Sequence, residues 1–259
     1  MHPAIRSSRP LVFAHRGGSK IGPENTITAF DRGLAAGADG FELDVHLSRD
    51  GAVVVHHDDR LDRTTRATGL VSDRTATELA ALDVPTLGEV FARYPTTAVI
   101  IELKERRPEL ARAVVQEIRR AGAAGRVCLG SFSLGALREA RALAPEIATS
   151  GARFEVRMAL YGSWIGLSPG WVRYQAFQVP ETSGRTRVVS PRFVRLAHEA
   201  GLAVQVWTVD EPADIRRLLD WGVDGIISDR PDVAAETVGE WVSRKAQAGS
   251  REAKVESKV

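Results

Sequence analysis

Short apolar, β-branched runs alternate with amphipathic stretches along nearly the whole chain, and this alternation constrains the fold more than any other feature. Runs over 11–14, 40–46, 52–56, 98–103, 127–131, 147–149, 176–179, 203–208 and 225–228 read as strands. Between them, 25–36, 108–121, 134–143, 191–200, 212–221 and 232–242 read as helices. Their apolar residues recur three and four apart, as in Ala111, Val114, Val115 and Ile118. Pro108, Pro191, Pro212 and Pro231 stand near helix starts, where a missing N–H leaves no hydrogen bond unmade. Strands joined through helices run parallel, so the class is α/β. About eight such strands close into a (β/α)8 TIM barrel, with an open doubly wound sheet as the alternative. The segments 37–44 (Gly-Ala-Asp-Gly-Phe-Glu-Leu-Asp) and 222–229 (Gly-Val-Asp-Gly-Ile-Ile-Ser-Asp) repeat one helix-to-strand joint, as a barrel of repeated units would.

A chain of 259 residues, 44% of them hydrophobic, suits one barrel domain, which typically needs about 250 residues. The expected division is an N-terminal extension over 1–10, the barrel over 11–243 and a charged, disordered tail over 244–259. That tail holds five basic and two acidic side chains without apolar period. It accounts for the formal net charge of +2, leaving a near-neutral body with no basic face for nucleic acid. The single cysteine, Cys128, excludes an internal disulfide and a cysteine-rich zinc site, and reads as a small buried residue. No apolar run approaches the roughly 20 residues that span a bilayer, which leaves peripheral membrane contact open. Residues 1–6 form no hydrophobic leader, and the expected location is the cytoplasm. Oligomeric state is not readable. The stretch 158–187, with Tyr161, Trp164, Trp171 and Tyr174 among glycines, breaks the alternation. It reads as an irregular loop packed on its own domain, or as one covering the barrel mouth or binding an apolar tail.

Several strand-like runs end in chemistry. Glu42 and Asp44 lie two apart, on one side of a strand whose other side carries Phe41, Leu43 and Val45. Two carboxylates directed into a barrel require a compensating cation. A hard divalent ion, Mg²⁺ or Ca²⁺, meets that need through oxygen ligands; ion pairs to arginine are the alternative. Glu102 adds a third carboxylate late in its own strand, and Lys104 follows on the same face, to neutralise a phosphate or pair with Glu102. His15 is followed by Arg16, a fork suited to phosphate, and by Gly17 and Gly18, which let backbone approach a ligand. Of His56 and His57 only one faces the mouth, since strand side chains alternate; pattern alone does not choose. Two imidazoles with two or three carboxylates suit metal-assisted acid/base hydrolysis.

The chain resembles the glycerophosphodiester phosphodiesterase family. The resemblance rests on an ordered series: His15-Arg16-Gly17, Pro23-Glu24-Asn25-Thr26, the 37–45 segment, His57-Asp58, Leu61-Asp62-Arg63-Thr64-Thr65, Pro85-Thr86-Leu87, Glu102-Leu103-Lys104, Ser131-Phe132, Val206-Trp207-Thr208-Val209 and 222–231. It runs from about 11 to 233 and is weakest over 158–187. It implies a (β/α)8 barrel hydrolysing glycerophosphodiesters to an alcohol and sn-glycerol 3-phosphate. It implies His15 and His57 as the acid/base pair, with His56 turned toward the helical layer, and Glu42, Asp44 and Glu102 as ligands of one divalent metal. Arg16 and Lys104 would contact phosphate, Glu24 would support the site and Trp207 would line the pocket. Asp210 departs from the family, where asparagine is common, and puts a negative charge near the mouth. A lysophospholipase D- or sphingomyelinase D-like activity is the enzymatic rival, suggested by the aromatic 164–174 segment. A non-catalytic phosphodiester-binding barrel is the other.

Overall fold

The computed structural model describes residues 2–256, with side chains to residue 248. Eight parallel strands form the barrel: β1 (Leu11–Ala14), β2 (Gly40–Leu47), β4 (Ala98–Leu103), β5 (Val127–Gly130), β6 (Ala148–Thr149), β7 (Ala176–Pro180), β10 (Ala203–Trp207) and β11 (Gly225–Ser228). Their order around the barrel is β6-β5-β4-β2-β1-β11-β10-β7. The ring is completed between β6 and β7, where Gln175 N donates to Thr149 O and Gly151 N to Ala176 O, both at 2.9 Å. The expected (β/α)8 barrel is therefore the fold.

Strand periodicity sorts side chains into two layers. Phe41, Leu43 and Val45 of β2 and Val99, Ile101 and Leu103 of β4 point outward, into one core with the helices α1 (Ile27–Ala35), α3 (Leu87–Arg93) and α4 (Pro108–Arg120). On the far side, α7 (Pro191–Glu199), α8 (Pro212–Asp220) and α9 (Pro231–Glu256) cover β10 and β11. Inward residues at the N-terminal ends of the strands, Leu11, Phe13, Ala98, Ile100, Cys128, Ala176 and Ile227, fill the barrel floor. Four inward rows continue, two residues at a time, to polar groups at the opposite end: Phe13 to His15, Glu42 to Asp44, Ile100 to Glu102 and Lys104, Ile227 to Asp229. Active sites of this fold lie at that C-terminal end.

Three expectations need correction. The run at 52–56 is not a barrel strand: β3 (Val53–Val55) folds back antiparallel on β2, pairing Val45 with Val55 and Leu47 with Val53. The stretch 158–187 is largely regular, comprising most of α6 (Arg153–Trp164), all of β7 and a hairpin of β8 (Thr182–Ser183) and β9 (Thr186–Arg187). Helix α6 hides in the sequence because its apolar residues surround it rather than forming one stripe. The N-terminal extension over 1–10 packs against the barrel: Ala4 and Ile5 are buried in the floor, where Gln205 Nε2 donates to both their carbonyls at 3.1 Å. Finally, the segment expected to be disordered continues α9 as helix to Glu256, since its Ala, Gln, Lys, Arg and Glu are good helix formers with no proline to stop them. Residues 257–259, like Met1, lie outside the described residues. Two short helices, α2 (Ala76–Ala80) and α3, were not read from periodicity. Their signal was the capping box, Thr75 with Glu78 and Thr86 with Glu89. The remaining helix, α5 (Leu134–Leu143), follows β5 as expected. Among the described residues no helix is long and apolar enough to cross a membrane.

Candidate active site

The strand register puts Asp44 beside Glu102, as Cα partners on β2 and β4. Glu42 stands one pleat deeper on the same side. One oxygen from each of the three carboxylates lies within 4.8 Å of the others. His15 arrives from the turn after β1, where Arg16 adopts a left-handed conformation at φ 51° and Gly17 at φ 82°. The Arg16 N–H, turned inward by that twist, donates to Glu42 Oε2 at 3.2 Å. A Cβ on Gly17 would meet that of Ala29 at 2.7 Å, so the turn packs against α1 only with glycine there. The antiparallel return of β3 delivers the second histidine: His56 N donates to Asp44 O at 3.0 Å, and His57 follows into the same cavity.

The two adjacent histidines separate. His56 is buried, its Nδ1 held by Asp58 O at 2.8 Å and its Nε2 by Thr64 Oγ1 at 2.9 Å. His57 lines a cavity of about 600 Å³ together with His15, Arg16, Glu42, Asp44, Glu102, Lys104 and Trp207. Glu24 stands behind that wall. It accepts from Arg16 Nη1 at 3.1 Å and from both Nη atoms of Arg63, at 2.8 and 2.7 Å. Trp207 meets Phe132 edge to face, ring centres 6.1 Å apart, at the cavity rim.

Each cavity histidine has a carboxylate on Nδ1. His15 pairs with Asp229 Oδ1 and His57 with Asp58 Oδ1, both at 2.6 Å. A carboxylate only accepts, so each Nδ1 carries the hydrogen and Nε2 is the working atom. Arg63 Nε donates to Asp58 Oδ2 at 2.7 Å and, with the His57 contact, holds that carboxyl far below the ordinary range. Asp229 also accepts from Ser19 Oγ at 2.5 Å. Asn25, itself left-handed at φ 58°, donates to Asp44 Oδ2 at 2.9 Å. The sequence reading assigned no role to Asp58, Arg63, Asp229 or Asn25. Two signals were available: Asp58 directly follows His57, and Asp229 sits two residues beyond an inward-facing Ile227, as His15 does beyond Phe13.

Charges in the site oppose one another strongly. Burial and then the neighbouring Asp44 charge push the Glu42 carboxyl up to about 8. Burial also raises Glu102, with Lys104 partly offsetting it. Asp44 resists the same burial because Lys104 Nζ, at 3.1 Å, and His57 favour its ionised form. For His15, burial disfavours the cation, but the Asp229 hydrogen bond and the Glu42 charge prevail and its pKa lies above 6.5. For His57 burial prevails, Lys104 and Arg16 add to it, and its pKa lies below 6.5. Asp210, the residue flagged as a stray charge, is fully engaged. Oδ1 accepts from Ser228 Oγ at 2.7 Å and Asp229 N at 2.8 Å, and Oδ2 pairs with Lys20 Nζ at 2.7 Å.

The family model of the glycerophosphoryl diester phosphodiesterases matches residues 15–233. The chain belongs to that family. A glycerophosphodiester phosphodiesterase of Caldanaerobacter subterraneus subsp. tengcongensis is 33% identical over 251 residues, covering 89% of this chain and 98% of that protein. Among solved structures of the family, a putative glycerophosphoryl diester phosphodiesterase from Silicibacter pomeroyi superposes with a TM-score of 0.77 at 28% identity, covering 92% of this chain and 96% of its own. A phosphodiesterase from Oleispira antarctica, solved with its product sn-glycerol-3-phosphate, superposes with a TM-score of 0.72 at 26% identity, covering 89% and 97%.

Proposed function

We propose that the chain hydrolyses glycerophosphodiesters to an alcohol and sn-glycerol 3-phosphate, using His57 as general base and His15 as general acid at a divalent metal site. The observation that carries this reading is the pair of Nδ1-anchored imidazoles converging with three clustered carboxylates in one cavity. Family membership and the product bound to the Oleispira relative support the substrate class.

The donor set fits a hard cation. Three carboxylate oxygens crowd together, and a fully buried glutamate has its pKa pushed up to about 8 unless positive charge stands beside it. Mg²⁺ or Ca²⁺ held by Glu42, Asp44 and Glu102 would supply Lewis-acid stabilisation of charge on a phosphoryl oxygen. The side chains do the rest. Arg16 and Lys104 bring fixed positive charge to the phosphate and need no reorganisation as the transition state forms. Trp207 lines the same cavity beside them. His57, neutral with its hydrogen on Nδ1, accepts at Nε2 the proton of the nucleophile, which is water, or the glycerol 2-hydroxyl with a cyclic phosphate formed that water then opens to sn-glycerol 3-phosphate. His15, protonated at both nitrogens, gives its Nε2 proton to the departing alcohol oxygen. Asp58 and Asp229 hold the two rings in those tautomers. Turnover of glycerophosphocholine with Mg²⁺ or Ca²⁺, abolished by EDTA and restored by the ion, is the expected result; full activity after exhaustive chelation would remove the metal from the reaction.

One observation favours a second reading. The cavity continues along α6, where Val156, Leu160, Tyr161 and Trp164 give it an apolar wall. Such a wall suits the acyl chain of a lysophospholipid, cleaved at the same phosphodiester bond. Comparing kcat/KM for glycerophosphocholine and lysophosphatidylcholine separates the two.

A further inference from the structure

Helix α6 is apolar on two opposite sides. Its inner side buries Ala159, Leu160 and Ser163. Its outer side carries Phe154, Met158, Tyr161 and, at the cap, Ile165, spaced four, three and four residues apart, all in solvent. The loop that follows adds Leu167, 60% exposed, and Trp171, 87% exposed. A helix with apolar residues around its circumference is ordinarily covered, and a contiguous apolar patch of this kind marks an interaction surface.

The charge left without an ion pair around the patch has one sign. Arg138 and Arg173 border the groove between Phe154, Met158 and Trp171, and Arg173 lies 5.7 Å over the Trp171 ring. Arg153 and Arg157 stand on the cavity side of the same helix. Among the described residues none of these four makes an ion pair. The nearby carboxylates are already taken: Glu155 by both Nη atoms of Arg141, at 2.7 and 3.0 Å, and Glu199 by Arg195 and Ser168.

We infer that this face docks on an anionic bilayer surface. Trp and Tyr rings seat well at the headgroup level, unpaired arginines meet acidic lipid, and the apolar stripe enters the acyl boundary. A second copy of the chain is a poorer occupant. An isologous contact sets the patch against itself, bringing arginines together with no free carboxylate to receive them. Tyr161 and Trp164 belong both to the outer surface and to the wall of the catalytic cavity, so docking sets the cavity mouth at the lipid headgroups.

The test is sedimentation of the full chain with phosphatidylcholine vesicles, with or without phosphatidylglycerol. Binding to the anionic vesicles is expected, weakening as salt rises. Replacing Ile165, Leu167 and Trp171 together with serine should weaken that binding at least about tenfold. None of the three lines the catalytic cavity, so glycerophosphocholine turnover and thermal unfolding should match wild type. R138Q/R173Q should reduce the binding and its salt dependence. Absence of binding to anionic vesicles, or equal binding by the serine variant, overturns the inference. So does a stable dimer, seen by sedimentation velocity, that the serine variant dissociates.

Discussion

Asp229 Oδ1 lies 2.6 Å from Nδ1 of His15, although 214 residues separate them in the chain. The closing strand of the barrel, paired with the first, makes this contact: β11 runs parallel to β1 with Ala14 opposite Ser228, so the residues after each strand meet. Asp229→Asn removes the charge that holds His15 in its protonated form. The pKa of His15 should fall, so less of the acid survives at a given pH and the alkaline limb of the kcat/KM profile moves to lower pH. Turnover should drop about tenfold or more. An alkaline limb that stays in place would detach Asp229 from the reaction.

The wild-type profile itself should be bell-shaped. His57 must be neutral to accept a proton, and its pKa lies below 6.5; His15 must be charged to give one, and its pKa lies above 6.5. Activity therefore rises through the first and falls through the second. Initial rates measured with the metal ion held constant across the pH range check this. A single rising limb would show that no protonated group is needed.

His15→Ala and His57→Ala should each lower turnover by about 10² or more. His56→Ala, which removes two buried hydrogen bonds outside the cavity, should instead cost about 1–3 kcal/mol of stability and leave kcat close to wild type. Steady-state kinetics and urea unfolding on the three variants distinguish the roles. A His56 variant as inactive as His57→Ala would mean the wrong histidine has been placed in the chemistry.

Without a cation, Glu42 in the folded chain holds its proton up to about 8, while the unfolded chain releases it near 4.5. Across that window the folded state binds more protons, so its stability falls as pH rises. A divalent ion relieves this by stabilising the ionised carboxylate. The rise in Tm produced by Mg²⁺ or Ca²⁺ should be small at pH 5 and larger at pH 8, and Glu42→Gln should reduce it at pH 8. A metal-induced shift independent of both pH and Glu42 would place the ion elsewhere.

Gly17→Ala combines a left-handed backbone at φ 82° with a Cβ at 2.7 Å from Ala29. It should cost about 1–3 kcal/mol and, by displacing His15, lower turnover as well. Gly51→Ala is the control: φ is 81° but no atom lies within 4 Å of the new Cβ. It should cost about 1–2 kcal/mol with activity intact. Chemical denaturation and kinetics on the pair measure both effects.

The alternation of short strands and amphipathic helices determined the barrel, because periods of 2 and 3.6 are local and survive without knowledge of any contact. The same period named Glu42, Asp44 and Glu102 as inward residues, since an apolar neighbour on each side left them no other face, and put Lys104 on the face of Glu102 two residues before it. Contacts that depend on closure were not legible. Local pattern does not say that Asp229 reaches His15, that Lys20 occupies Asp210, or that residues before β1 fill the floor. Direction was also hidden: an apolar triplet at 53–55 reads alike whether parallel or antiparallel, and only its pairing with β2 brings His57 back to Asp44. Helix α6 escaped for a related reason, having two apolar sides and so no single stripe. The sequence by itself determined which residue types stand at the barrel mouth. Tertiary structure decided their partners and their protonation, because charge and burial act through space between groups the chain holds far apart.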